Sequence, residues 1–214
     1  MSFDLIVFDM DGVLVDSEPI ANRILHRYLS ALGVPMTLDE LTRDTLGLST
    51  ASMRRLVRDR YAIDVPDAML ADQRAAVYAA YETELKPVAG VEDAIRALPH
   101  PRCVASSSSP ETIAVSLRLT GLDRHFDGRL FSAAMVERGK PHPDLFLHAA
   151  RTMGHDPSLT AVIEDSVPGV TAGVAAGMRV FAYAGASYAD PAALAAAGGQ
   201  VFTDMRELPG LLGA

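Results

Sequence analysis

Short apolar runs, one near the N-terminus and the others after about Val88, alternate with segments whose apolar residues repeat at helical spacing. The runs predict six strands, at 5–8, 102–105, 128–131, 160–163, 179–182 and 200–202. The segments between them predict helices at 91–98, 111–119, 143–153, 167–176 and 191–196. Because the strand runs are continuously apolar rather than alternating, they are typical of parallel strands buried on both faces. The pattern predicts an α/β fold built on a doubly wound parallel sheet.

The segment from Ser17 to about Leu85 departs from this pattern. It contains no clear strand, and its apolar residues recur at helical spacing. Over residues 53–61, the apolar positions fall on one helix face. Arg54, Arg55 and Arg58 fall on another, which favours a solvent-facing arginine face over a substrate clamp. We therefore predict a helical domain of four or five helices, residues 17–85, inserted into a core formed by residues 1–16 and 86–214.

The composition is that of an ordinary globular protein with an acidic balance. The 214 residues include 19 Lys and Arg against 27 Asp and Glu, which gives a formal net charge of −8. Such a chain lacks the broad basic field that binds nucleic acid, so an anionic small molecule would depend on local cations or a metal ion. The single cysteine, Cys103, excludes an internal disulfide and a cysteine-based metal cluster.

Targeting and membrane segments are not evident in the sequence. The apolar stretch at 5–8 is short and ends in an acid, unlike a signal peptide. No uninterrupted apolar run approaches the ~18 residues of a membrane span. We therefore expect a cytoplasmic protein that does not contact a membrane. The acidic balance also leads us to expect no nucleic-acid partner. We further expect a monomer or a weak homodimer.

The strongest chemical signal is the segment VFDMDGVLVDSEP at residues 7–19. An apolar strand delivers Asp9 and Asp11 at its carboxyl end, where α/β sheets bind their ligands. Residues two apart in an extended segment point the same way, so both carboxylates should face one site, and Gly12 permits a change of direction after them. Two acids this close repel each other unless a cation relieves them, and Mg²⁺ can do so while attracting a phosphate oxygen. A strand that simply ends in an acidic turn is the alternative.

A second apolar strand ends in adjacent acids within VIEDSVPGVTAGVAAGM, residues 162–178. Glu164 and Asp165 could complete a set of oxygen ligands for magnesium, and a buried acid that caps the next helix is the alternative. Ser166 is a candidate N-cap of that helix. Glycine recurs every four residues within it, which predicts one smooth face against the sheet.

Two further segments supply groups that can bind phosphate. Ser106 follows the strand at 102–105 with Ser107 and Ser108 behind it, and a hydroxyl and backbone amides at a strand-to-helix turn can hold phosphate oxygens. Lys140, in RGKPHPDLF, can pair with a carboxylate and with phosphate. Taken singly, each also has an ordinary explanation, as a polar helix start and as a surface lysine. The six histidines show no metal-ligand spacing.

These four segments, in this order, resemble the haloacid dehalogenase (HAD) superfamily, and the likeness covers nearly the whole chain. DMDGVLVDSEP, SSSSP, GKPHPD and IEDSVPG match the branch that contains β-phosphoglucomutase and several sugar-phosphate phosphatases. The resemblance implies a Rossmann-like core with an inserted α-helical cap. It also implies a Mg²⁺-dependent phosphomonoester hydrolase that acts on a small phosphorylated metabolite, such as a sugar or sugar-acid phosphate, through an aspartyl-phosphate intermediate.

The resemblance implies a role for each matching position. Asp9 would be the nucleophile, and Asp11 would protonate the leaving oxygen and then activate water. Ser106 and Ser107 would bind the phosphoryl group, and Lys140 would balance its charge. The implied magnesium ligands are Asp9, the backbone carbonyl of Asp11, Asp165 and, assisting through water, Glu164.

The match departs from β-phosphoglucomutase at two positions. Mutases of this branch typically have a histidine shortly after the first motif and an arginine in the cap loop, and the matching positions here are Ala21 and Thr50. We therefore favour a hydrolase and keep a β-phosphoglucomutase-type phosphosugar mutase as the alternative. The cap loop around Gly47 is expected to face the site and to screen substrates.

Other functions fit the motifs less well. A dehalogenase would not need Asp11 or the magnesium acids, and a phosphonatase would need a cap lysine, for which Lys86 is the nearest candidate. A receiver domain gathers similar groups but has only ~120 residues and no inserted cap. A catalytically inactive metabolite-binding relative would have no need to keep both Asp9 and Asp11.

Overall fold

The computed structural model describes residues 3–45 and 50–213. The chain divides into two compact units, one formed by Met1–Asp16 with Lys86–Ala214 and the other by Ser17–Leu85. The predicted cap-loop residue Gly47 lies outside the described residues.

The larger unit contains a six-stranded sheet in which every neighbouring pair is parallel. Its strands are β1 (Leu5–Phe8), β2 (Arg102–Ser106), β3 (Leu130–Ser132), β4 (Thr160–Glu164), β5 (Arg179–Tyr183) and β6 (Gln200–Phe202). The spatial order is β3-β2-β1-β4-β5-β6, so the order reverses between β1 and β4. This confirms the predicted doubly wound α/β fold, and it makes the β1–β4 boundary the switch point where such sheets bind ligands.

The described residues contain ten α-helices, and their bounds agree with the sequence prediction to within two residues where a helix was assigned. They are α1 (Glu18–Ala31), α2 (Leu38–Thr45), α3 (Thr50–Tyr61), α4 (Asp67–Glu84), α5 (Val91–Ala97), α6 (Pro110–Thr120), α7 (Asp144–Met153), α8 (Val167–Ala175), α9 (Pro191–Ala196) and α10 (Leu208–Leu211). The first four belong to the smaller unit and the others to the larger one. The short α10 was not predicted, because it contains Pro209 and Gly210, both poor helix formers.

The core of the larger unit forms around the central strands. All four residues of β1 are fully buried. Leu5 and Val7 share one apolar cluster with Val162 of β4, Val180 of β5 and residues of α7 and α8. At Gly173 of α8, an added Cβ would lie 2.6 Å from Val180 Cγ2, so only glycine lets this helix pack so closely on the sheet. The switch point therefore lies on a closely packed part of the core.

Two further differences from the sequence prediction have a cause in the backbone. α8 ends before Gly177, whose φ of 76° lies in the left-handed region, so the close-packed face comprises Gly169 and Gly173 alone. β3 begins two residues later than predicted, at Leu130 rather than 128. The cause is the backbone just before it, because Asp127 and Gly128 have φ values of 49° and 73°, which an extended strand does not allow.

The smaller unit has an apolar cluster of its own, formed by α1, α2, α3 and the segments that flank them. On α3, Arg54 pairs with Asp67 at 2.6 Å and Arg58 with Asp64 at 3.4 Å. These pairs are largely exposed to solvent, which is consistent with a solvent-facing arginine face and contributes little stability.

Membrane-spanning segments are not found among the described helices, because none of them is both long enough and apolar enough to cross a bilayer.

Candidate functional site

Two strand tips meet at the switch point. Asp9 directly follows β1, and its backbone N–H donates to the carbonyl of Ile163 in β4 at 2.9 Å. Glu164 is the last residue of β4, and Asp165 follows it. Asp9, Glu164 and Asp165, which we call the acidic cluster, each place a carboxylate oxygen within 4.8 Å of the others. The fold therefore brings together acids from two segments that lie far apart in the sequence.

The acidic cluster suits a hard divalent cation. Its donors are carboxylate oxygens, the ligands that Mg²⁺ prefers. Gly12 makes room for one of them, because its φ is 76° and an added Cβ would lie 1.9 Å from Asp165 Oδ2. Only glycine allows the turn after β1 to pass so close to this carboxylate. The residues present therefore fit a magnesium ion.

Lys140 places a buried cation in the site. Its Nζ donates to Asp9 Oδ1 and to Glu164 Oε1, both at 2.7 Å. The side chain is only 5% exposed and also lies 5.0 Å from the centre of the Phe146 ring. Burial by itself lowers the pKa of Lys140, but Asp9 and Glu164 outweigh it and hold this pKa above its ordinary value. Lys140 is therefore a charged ammonium that orients Asp9.

Asp9 carries a strongly perturbed carboxylate. Burial is the main cause that raises the pKa of Asp9 to about 7, the Lys140 charge opposes it, and the charges of Glu164 and Asp11 raise it further. A carboxylate that its surroundings only partly compensate gains from any additional positive charge. The site is therefore prepared for a cation beyond Lys140.

Glu164 holds the turn after β4 as well as the lysine. Its Oε2 accepts from the backbone N–H groups of Asp165 and Ser166, both at 2.7 Å, and from Ser166 Oγ at 3.0 Å. Ser166 is the N-cap of α8, as predicted, and its Oγ accepts from Gly169 N–H. Glu164 leaves no room for a side chain at Gly169, where an added Cβ would lie 1.6 Å from Glu164 Oε1. This network holds the backbone of the turn that carries Asp165.

The serine run forms the turn between β2 and α6. Ser106 ends β2 and is buried, and its Oγ accepts from the backbone N–H of Ser108 at 3.0 Å. Ser107 is exposed in the same turn. Ser108 Oγ donates to Asp11 Oδ2 at 2.9 Å, which places the Asp11 carboxylate beside this turn. Ser108 was not predicted as a site residue, although the same serine run in the sequence contains it.

A family model of the haloacid dehalogenase-like hydrolases matches residues 3–177 of the chain. Among solved structures, a conserved haloacid dehalogenase-like protein of unknown function from Agrobacterium tumefaciens is 35% identical, with a TM-score of 0.92 over 99% of this chain and 98% of that one.

Two curated relatives have named activities. Hexitol phosphatase B of Escherichia coli is 33% identical over 178 residues, which cover 81% of this chain and 80% of the relative. The 6-phosphogluconate phosphatase of the same species is 28% identical over 179 residues, 83% of this chain and 81% of the relative.

Proposed function

The chain belongs to the haloacid dehalogenase-like hydrolase family and is a phosphatase, and we propose that it transfers the phosphoryl group of a small metabolite to Asp9 and then to water, with Mg²⁺ as cofactor. The observation that carries this proposal is the position of Asp9. It lies at the switch point of the sheet, in contact with Lys140 and beside Glu164 and Asp165.

Asp9 serves as the nucleophile. Its carboxylate oxygen attacks phosphorus, and the bond from phosphorus to the ester oxygen breaks. Lys140 holds the Asp9 carboxylate through Oδ1 and brings a positive charge to the place where the phosphoryl oxygens gather. Ser106 and the Ser107 backbone bind these oxygens at the turn after β2.

Asp11 serves as acid and then as base. In the first half of the reaction its proton goes to the departing ester oxygen, which leaves as an alcohol. In the second half Asp11 takes a proton from water, the water oxygen attacks phosphorus, and the bond from phosphorus to Asp9 breaks. One carboxylate can do both because each half restores the protonation state that the other needs.

The residues that would hold Mg²⁺ are Asp9, Asp165 and the backbone carbonyl of Asp11, with Glu164 assisting. When bound, the ion neutralises charge on the phosphate and on Asp9, which lowers the repulsion between two anions. These acidic residues would bind the magnesium ion. Lys140 and the serine turn supply the remaining contacts to phosphate.

The smaller unit, residues 17–85, serves as the cap of this phosphatase, and Gly47, which lies outside the described residues, belongs to the segment that screens substrates. The substrate class is a sugar or sugar-acid phosphate. The two relatives support this, since one is named for hexitol phosphates and the other for 6-phosphogluconate. Both names describe a phosphate ester on a polyhydroxylated carbon chain.

Magnesium dependence is tested with a panel of sugar, sugar-acid, polyol and glycolate phosphates. We expect phosphate release in Mg²⁺, background rates in EDTA, and recovery when Mg²⁺ is restored. Binding is measured separately by thermal denaturation, where saturating Mg²⁺ should stabilise the protein by ~2.7 kcal/mol at a hundred times its dissociation constant.

Asp165→Asn should lose most of this stabilisation, whereas Asp4→Asn, at the opposite end of β1 and exposed, should keep it. Equal stabilisation of both variants by Mg²⁺ would show that Asp165 does not help to bind the ion.

A hydrolase and a mutase are separated by product analysis with β-glucose 1-phosphate. Because Ala21 and Thr50 occupy the positions of the mutase histidine and arginine, we expect either no reaction or release of inorganic phosphate. Nuclear magnetic resonance of phosphorus distinguishes the products. Isomerisation to glucose 6-phosphate without net phosphate release would establish the mutase instead.

A further inference from the structure

A chain of hydrogen bonds links the end of β3 to the Asp11 carboxylate. Ser132 Oγ donates to the backbone carbonyl of Ser108 at 2.7 Å, and Ser108 Oγ donates to Asp11 Oδ2 at 2.9 Å. The backbone N–H of Ser108 donates to Ser106 Oγ at 3.0 Å. Ser108 therefore contacts both the carboxylate proposed for proton transfer and the hydroxyl proposed for phosphate binding.

The sheet fixes the other end of this chain. Ser106 and Ser132 are paired residues at the ends of β2 and β3, and both are buried. Ser132 Oγ also accepts from the backbone N–H of Ala134 at 3.1 Å. The Ser132 hydroxyl thus accepts one hydrogen bond through a lone pair and uses its single hydrogen for the bond to the Ser108 carbonyl. The backbone of Ser108 is thus held by two adjacent strands.

We propose that Ser108 is a positioning residue that orients Asp11 for proton transfer, an inference that rests on the acid–base role proposed above for Asp11. General acid catalysis requires the acid to lie within hydrogen-bond reach of the leaving oxygen. A hydroxyl suits this task because it donates to an ionised carboxylate and, after rotation about its C–O bond, accepts from a protonated one. Ser108 can therefore follow both protonation states of Asp11 while its backbone stays fixed.

The neighbouring serines have different roles, which supplies a matched control. Ser109 is the N-cap of α6, and its Oγ accepts from the backbone N–H of Thr112 at 3.2 Å. Loss of the Ser109 hydroxyl removes a helix cap one residue away from Ser108 without removing a contact to Asp11. Ser109→Ala should therefore report what a purely structural change in this turn does.

The test compares kcat/KM for a sugar phosphate and for 4-nitrophenyl phosphate in the Mg²⁺-loaded full chain. The parameter kcat/KM covers the steps up to departure of the leaving group. A sugar alcohol needs a proton to depart, whereas 4-nitrophenolate departs without one. Ser108→Ala should lower kcat/KM for the sugar phosphate roughly 10- to 100-fold, part of the ~10²–10⁴ that a positioned acid supplies, and change the nitrophenyl ester by less than about 3-fold.

Ser108→Thr, which keeps a hydroxyl, should recover most of the loss, and Ser109→Ala should change both substrates by the same small factor. Equal losses on both esters in Ser108→Ala, or no loss on either, would overturn the positioning role.

Asp11→Asn separates a failure of the Ser108 inference from a failure of the proposed function. If Asp11→Asn discriminates between the esters and Ser108→Ala does not, only the role of Ser108 is wrong. If Asp11→Asn does not discriminate, the acid role falls and the inference about Ser108 falls with it.

Discussion

Asp9→Asn is expected to abolish turnover while the protein stays folded. An amide is a far weaker nucleophile than a carboxylate and cannot form the acyl phosphate, so phosphate release should fall by roughly 10⁴-fold or more. Steady-state assays in saturating Mg²⁺ measure this loss. Asp4→Asn serves as the control, since Asp4 is exposed and lies just before β1, at the opposite end of the strand from Asp9.

The stability of Asp9→Asn should move in the opposite direction from its activity. In the metal-free protein, Lys140 faces two carboxylates, and removal of one leaves the pair between Lys140 and Glu164 intact. Burial raises the pKa of Asp9 from 3.8 to about 7, so the folded state disfavours the ionised form. The asparagine variant avoids this cost without leaving a buried charge unpaired.

The sign of the pH dependence follows from the same shift. Between the ordinary pKa of 3.8 and the folded-state value of about 7, the folded wild-type protein binds more protons at Asp9 than the unfolded chain does. The contribution of the Asp9 carboxyl to wild-type stability therefore falls as pH rises through that interval. The asparagine variant has no carboxyl at this position and does not lose this stability. In EDTA, the free energy of unfolding of Asp9→Asn relative to that of the wild type should increase from about pH 4 to about pH 7 and stay constant above about pH 7.

Chemical denaturation in EDTA near pH 5 and near pH 8 measures this gain. A variant that is less stable than the wild type by more than ~1 kcal/mol near pH 8 would contradict the electrostatic account. Retained turnover would defeat the assignment of Asp9 as nucleophile whatever the stability.

The sequence predicted the strand tips well because both carry a strong local signal. The β1 and β4 runs are continuously apolar and end in acids, so Asp9 and Asp165 could be placed at the carboxyl ends of strands. It could not give the spatial order of the strands, which depends on long-range pairing. The sequence alone therefore did not show that Asp9 and Asp165 lie close together. This follows from the parallel pairing of β1 with β4 in the structure.

The contacts across the site were not readable from spacing. Lys140 and Asp9 are separated by 131 residues, and no local pattern connects them; the resemblance alone placed Lys140 in the site. The serine run shows a second limit of sequence-based prediction, because the sequence alone gives no basis for assigning different roles to four identical residues. The turn separates them, with Ser106 buried at the strand end, Ser107 exposed, Ser108 bonded to Asp11 and Ser109 capping α6.

Lys140→Met is expected to lower both stability and activity. Methionine fits the apolar contact with the Phe146 ring but leaves Asp9 and Glu164 buried and without their shared cation. Breaking a buried ion pair by removing one partner costs ~3–5 kcal/mol, and we expect a loss of that size in EDTA near neutral pH. Phosphate release should also fall by ~10²–10³-fold, because the charge that faces the phosphoryl oxygens is gone.

The pH dependence of this loss distinguishes an electrostatic cause from poor packing. Lys140 lowers the pKa of Asp9, so the variant should raise that pKa beyond about 7. Both proteins lose stability from this group as pH rises from the unfolded pKa of 3.8 to about 7, and only the variant goes on losing it above about pH 7, so its deficit against the wild type should widen there. A packing defect would give a deficit that does not change with pH.

Two further variants complete the test by denaturation in EDTA. Lys86→Met replaces the other lysine of the chain, which is exposed, and should change neither stability nor its pH profile. Lys140→Met combined with Glu164→Gln removes one of the two uncompensated charges, while the glutamine oxygen can still accept from the Asp165 and Ser166 backbone. The double variant should regain at least about half of the lost stability near neutral pH, with no recovery of activity, because removing the Glu164 charge relieves the fold but does not replace the positive charge of Lys140 at the phosphoryl group. A double variant as unstable as Lys140→Met at every pH would show that shape, rather than charge, makes Lys140 necessary.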